Sequence, residues 1–150
     1  MATLPIQQIK LRGTWALAAA AGVVPVTHKQ RHGRQRLKLG ADTLTVSVER
    51  DQLLNDGDAL VTETGTHYLV RTVQERVLLV SCADTTVTAR LAWHLGARGV
   101  PLEIQAGGVI IPDSPANRRL VAGLGAEGEP VKRVFTPELS ELIRPPRRRG

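Results

Sequence analysis

A chain of 150 residues is long enough for one ordinary domain or two small ones without disulfides. Its single cysteine, Cys82, excludes an intramolecular bridge and a cysteine-cluster metal site within one chain, and it suits a reducing compartment, so a cytoplasmic protein is expected. Of the net charge of +6, Arg144, Arg147, Arg148 and Arg149 in the closing RPPRRRG contribute four; the remaining +2 is too little for a dedicated nucleic-acid-binding body.

Residues 14–26, TWALAAAAGVVPV, form the longest apolar run. The run is shorter than the about 20 residues a membrane span needs, and Gly22 and Pro25 interrupt it. Lys10 and Arg12 ahead of it imitate a signal peptide, but it flows into strand-like sequence without a cleavage boundary, so no membrane association is expected. From there to residue 74 the chain reads as β structure. VVPVTHKQ, RQRLKLG, TLTVSVE, ALVTET and HYLVRTV are short runs rich in β-branched residues, several alternating with period two. Turn chemistry separates them at His32-Gly33, Gly40-Ala41-Asp42, Asn55-Asp56-Gly57-Asp58 and Thr64-Gly65-Thr66. Residues 1–74 are therefore predicted to form an all-β domain, a small sandwich or open barrel, with the alanine run forming at most a turn.

Residues 75–82, ERVLLVSC, predict a nearly continuous apolar strand. Asp84, Thr85 or Thr86 can cap a helix whose stripe is Val87, Leu91, His94 and Leu95, and Gly96 and Gly99 supply its stop. Residues 100–104 then read as a strand, 105–108 as a hairpin turn and 109–111 as its partner. Asp113 or Ser114 caps a second helix with Pro115 in its first turn, Ala116, Leu120, Val121 and Leu124 on its buried face and Gly125 at its end. Residues 130–135 predict a last strand. The order over residues 75–138 is β-α-β-β-α-β, the ferredoxin-like α+β pattern, and residues 139–150 are left as a basic tail.

Chemistry is sparse along this chain. There is no glycine-rich phosphate loop and no serine in a nucleophile elbow, so no enzyme, no catalytic residue and no bound organic cofactor is expected. Cys82, in its strand, is expected to be inert, and Asp56 and Asp58 suit a tight turn better than an acid/base pair. His28 and His32 stand four apart, a metal-ligand spacing only if the segment is helical, and its surroundings read as strand and turn. Lys29, Arg31, Arg34, Arg36 and Lys38 make residues 27–38 the most basic part of the body: a solvated strand edge guarded by charge, or a docking surface for an acidic protein. An RNA-binding module of ferredoxin-like order needs aromatics on its central strands, and residues 75–82 and 100–104 have none. RNA binding through the arginine tail is the minor alternative. His94, on an apolar stripe, reads first as a buried or interface histidine and second as a metal ligand.

The block from Ser81 through residues 91–104, LAWHLGARGVPLEI, resembles the urease accessory proteins of the UreE family, whose pattern is aromatic-His-Leu-Gly-Asn-Arg-His running into Val-Pro and a strand. Residues 34–60, RQRLKLGADTLTVSVERDQLLNDGDAL, resemble that family's first domain; LVAGLGA at 120–126 and FTPE at 135–138 resemble the end of its second. The resemblance implies a peptide-binding-like β domain, a ferredoxin-like domain and a homodimer through that second domain. It further implies a role in carrying nickel to the urease apoprotein alongside the accessory GTPase UreG. It also implies a degenerate metal site. The family's shared histidine falls on Gly99, its additional histidine falls near Asp113-Ser114-Pro115, and its histidine-rich tail is replaced by RPPRRRG. His94 is then the remaining ligand, with Asp113 a distant helper and nickel held weakly or not at all; a metal-independent scaffold for urease assembly proteins is the alternative.

Overall fold

Ten strands and two α-helices account for most of residues 1–139, the part of the chain that the computed structural model describes. Two compact units divide it, Met1–Val73 and Gln74–Glu138.

The first unit contains β1 (Thr3–Lys10), β2 (Ala20–Val26), β3 (Gly33–Leu39), β4 (Asp42–Val48), β5 (Ala59–Thr62) and β6 (His67–Thr72), in one sheet of order β2-β6-β5-β1-β4-β3. β1 is a strand the sequence did not announce, because TLPIQQIK has a proline and weak alternation. It is nevertheless the seam: residues 3–5 pair parallel to β4, and residues 6–10 pair antiparallel to β5 after a register shift between Ile6 and Gln8. One core lies under the whole sheet, with Val24 and Val26 from β2, Leu37 from β3, Leu44, Val46 and Val48 from β4, Leu60 from β5 and Val70 from β6. Strands at opposite ends of the order share that core, so the sheet curls; a Cβ on Gly22 of β2 would touch Leu39 of β3 at 3.6 Å.

The alanine run does form only a 3-10 turn, Leu17–Ala19. Residues 28–31, by contrast, leave the strand expected of VVPVTHKQ and form a second 3-10 turn, His28–Arg31. The reason is local: Thr27 opens a capping box, its side chain accepting from Gln30 N–H while its own N–H donates to Gln30 Oε1 at 3.0 Å. In the NDGD turn the two acids have separate structural tasks. Asp58, buried, accepts from the N–H of Asn55 at 2.8 Å and of Arg12 at 2.9 Å. Asp56 accepts from Arg71 at 2.9 Å and from Thr72 N–H at 3.0 Å. Burial raises the Asp56 pKa, but the Thr72 and Arg71 contacts outweigh it and hold the carboxyl below the usual range. The contribution of Asp56 to stability is therefore present above the ordinary carboxylate value of 3.8 and lost as pH falls through its lowered value.

The second unit runs β7 (Gln74–Ser81), α1 (Thr85–Ala97), β8 (Glu103–Gln105), β9 (Gly108–Pro112), α2 (Pro115–Gly123) and β10 (Glu127–Val134). Its sheet has the order β10-β7-β9-β8 with every neighbouring pair antiparallel. Asp84 caps α1 by accepting from Val87 N–H at 2.9 Å, and Ser114 caps α2 by accepting from Asn117 N–H at 3.1 Å, with Pro115 in the first turn. Gly99 (φ +71°) and Gly125 (φ +75°) take the left-handed conformation just past the helix ends, while Gly96 stays inside α1. Two stripe residues are more open than their spacing implies: Val87 is 42% exposed, and Ala116 faces solvent. Residues 100–102 are not yet strand; Val100 and Leu102 pack into the core under the helices instead.

That core joins Leu78, Val80, Val109 and Ile111 of the sheet to Leu91 and Leu95 of α1 and Val121 of α2. The opposite face, with Val77 and Ile110, is covered by Phe135. The chain after β10 crosses beneath this face: Thr136 N–H donates to Glu103 Oε1 at 2.9 Å, and Glu138 N–H to the Leu102 carbonyl at 2.7 Å. FTPE is thus a clamp joining the sheet's two edge strands rather than the end of a strand.

Candidate functional site

His94 sits in the last turn of α1 and is half-buried. It borders a cavity of about 160 Å³ lined also by Val87, Arg90, Leu91, Leu124 and Ala126, with no carboxylate in the lining. Its ring meets Trp93 edge-on at 5.1 Å. Trp93 itself is 69% exposed, because the inward face of α1 is already filled by Leu91 and Leu95. An exposed indole beside a half-buried imidazole is a feature that spacing alone did not reveal. Five residues on, Gly99 leaves a Cβ nothing within 4 Å, so a side chain there would face open space beside the helix end.

Asp113 does not join His94. Its carboxylate takes both donors of Arg118, Nε to Oδ1 at 2.7 Å and a terminal nitrogen to Oδ2 at 2.8 Å. The Arg118 hydrogen bonds are the main cause of a pKa held below the usual carboxylate range. An acid already engaged by a bidentate arginine is a poor helper for a metal. Among the described residues no group of three or more His, Cys, Asp or Glu side chains comes together. His28 is the first residue of the 3-10 turn and His32 follows its end; residues four apart on such a turn do not share a face, and His32 is extended (φ −143°). Cys82 lies one residue past β7, half-buried beside an apolar groove of about 480 Å³ lined by Ala89, Ala92, Ile104 and Val109.

The five cations of residues 27–38 separate into two kinds. Lys29, Arg34, Arg36 and Lys38 are exposed. Arg31 is 6% exposed; its Nε donates to the Leu54 carbonyl at 2.8 Å and a terminal nitrogen donates to Asn55 Oδ1 at 3.1 Å. Arg31 therefore leaves the docking set and becomes a tie between the 3-10 turn and the loop before β5. Its charge made it look like a surface residue; the capping box turns it inward. Arg31→Ala is expected to lower stability by about 2–3 kcal/mol, because the buried Leu54 carbonyl loses a charge-assisted donor; urea unfolding measures this. A loss under about 0.5 kcal/mol would place Arg31 back at the surface.

Comparison with known proteins matches residues 75–144 to the family described as "UreE urease accessory protein, C-terminal domain". The "Urease accessory protein UreE" of Rhizobium meliloti is 33% identical over 114 residues, covering 75% of this chain and 74% of the relative. That of Bordetella pertussis is 46% identical over 90 residues, 59% of this chain and 44% of the relative. A "Bifunctional urease accessory protein UreEF" of Bordetella bronchiseptica is also 46% identical over 90 residues, but only 21% of it is covered. The chain thus spans about three quarters of the first relative and less than half of the other two.

Proposed function

Because the chain belongs to the UreE family of urease accessory proteins, a family of assembly factors rather than enzymes, we propose that it assists nickel insertion into urease through a degenerate metal site. The observation that carries this reading is the end of α1. His94 is held in its last turn, and Gly99 stands, open to solvent, where the resemblance puts the family's shared ligand. The β-α-β-β-α-β order, with β7 and β9 central and all pairs antiparallel, supports a ferredoxin-like arrangement for residues 75–138. The family's dimer would let one imidazole per chain reach a shared cation, and exposed Trp93 beside His94 suits such a contact. The partners of this reading are a second copy, the urease apoprotein and the GTPase UreG, in the cytoplasm. No helix among the described residues is long and apolar enough to cross a membrane.

A metal-independent scaffold is the second reading. It is favoured by the Asp113–Arg118 pair, which leaves one chain with a single candidate imidazole at this end of the fold. Copurification of the tagged chain with urease apoprotein and UreG, with and without EDTA, separates the two. Retention that needs metal selects the carrier, retention indifferent to chelator selects the scaffold, and no retention of either component overturns the urease role.

A further inference from the structure

We propose that the outer face of β3 and β4 binds the phosphate backbone of a nucleic-acid duplex, without reading its sequence. Arg34, Arg36 and Lys38 alternate with Gln35, Leu37 and Leu39, and Leu37 lies in the core, so the three cations stand in a row on the outer face about 6.8 Å apart. Each has a hydroxyl directly across the ladder: Arg34 stands opposite Ser47, Arg36 opposite Thr45 and Lys38 opposite Thr43. A cation beside a hydroxyl presents several donors to one phosphate. The pair recurs three times, at a step comparable to that between successive phosphates along one strand. Lys29, exposed in the 3-10 turn, is a fourth cation near β3, since Gln35 Nε2 donates to the Lys29 carbonyl at 2.9 Å.

Protection of a sheet edge does not account for this row. β2 and the 3-10 turn lie alongside β3, so its far flank is already covered and needs no charges to guard it. Internal ion pairing does not account for it either: among the described residues no carboxylate pairs with Lys29, Arg34, Arg36 or Lys38. The acids at the two ends are Asp42, which accepts from Ala2 N–H at 2.9 Å, and Glu49, two residues beyond Ser47. Like charges held in a row with no acid among them repel, and a row of phosphates laid along them relieves that repulsion. The small net charge of the body excludes a dedicated nucleic-acid-binding domain, but a track of three or four phosphate contacts needs only this local row. A duplex fits better than a single strand. Trp15, Tyr68, Trp93 and Phe135, the aromatic residues of the chain, all lie outside β3 and β4, so an unpaired base has no ring to stack on, whereas a duplex keeps its bases stacked and offers phosphates.

The inference goes beyond nickel handling and is independent of it. Its test is fluorescence anisotropy of the full chain with a labelled DNA duplex of about 20 base pairs, over a series of salt concentrations. Each phosphate contact contributes about 0.9 to the slope of log affinity against log salt, so Arg34→Gln/Arg36→Gln/Lys38→Gln should make that slope shallower by about 2.7. The same variant should weaken binding about ten-fold or more at low salt. Arg36→Gln alone should remove about 0.9 of the slope, which keeps the test open if the triple variant fails to fold. Replacing Arg144, Arg147, Arg148 and Arg149 by Gln in the full chain should leave this β3-dependent part in place, and a duplex of scrambled sequence should bind equally. No binding at low salt, or a slope unchanged in both β3 variants, would overturn the proposal; the second result would assign binding to the arginine tail. A clear preference for one duplex sequence would overturn it as a phosphate track. Tighter binding of polyglutamate than of the duplex would overturn it in favour of an acidic protein.

Discussion

Gly99→His is expected to raise nickel affinity by about a hundredfold or more over the native chain. A structural metal site held by four ligands is worth on the order of 10–16 kcal/mol, so one added imidazole supplies about 3 kcal/mol. Imidazole suits nickel, and a two-fold axis would double its contribution. The structure sets the opposing cost. At φ +71° a side chain pays about 1–2 kcal/mol in the left-handed region, but histidine is among the residue types enriched there, and no atom lies within 4 Å of the new Cβ. The variant should fold with a slightly lower Tm, and isothermal titration with Ni²⁺ should show the gain. A folded Gly99→His with native affinity would mean that the helix end does not face a second ligand.

Gly108→Ala is expected to be the most damaging small substitution in the second unit, at a cost on the order of 4 kcal/mol or more. Gly108 pairs with Ser81 at the start of β9, and a Cβ there would overlap the Val80 carbonyl, with the Val80 carbonyl carbon only 3.0 Å away. Backbone cannot give way as a flexible side chain can, so the β7–β9 pairing must open. That pairing carries Val80 and Val109 into the core under both helices. Denaturant unfolding followed by circular dichroism should show the loss in the second unit. A destabilisation below about 1 kcal/mol would contradict the close approach. Gly107, at φ +82° in the same turn with open space around it, should lose less on the same change, since only the conformational cost applies.

The contrast between these two glycines shows what the sequence makes legible. A hairpin at residues 105–108 follows from local chemistry, and so do the caps at Asp84 and Ser114 and the stops at Gly99 and Gly125. Which glycine is pressed against another strand depends on the sheet order, which no local pattern states. β1 was hidden for the same reason: its two halves are defined by partners about forty and fifty residues away, not by its own alternation. The crossing of residues 135–138 was hidden too, because a carboxylate thirty-three residues earlier, Glu103, anchors it.

The site was legible in outline only. His94 was singled out by its place on α1, and the structure adds that its cavity lining contains no acid. Asp113 was chosen by position at the start of α2, and its pairing with Arg118 could have been suspected from an acid five residues before an arginine at a helix start. Arg31 was grouped with its basic neighbours because charge is visible in sequence and burial is not. The signal that would have separated it is the Thr27–Gln30 capping box, which turns the strand away one residue later.

The central claim, a UreE-family chain whose nickel site has lost its main ligand, is tested most directly by titrating the native chain with Ni²⁺, with mass measured by light scattering in the same samples. The account predicts weak binding or none, and further loss of any residual binding in His94→Ala. A strong site of one nickel per dimer in the native chain, unchanged by His94→Ala, would contradict it.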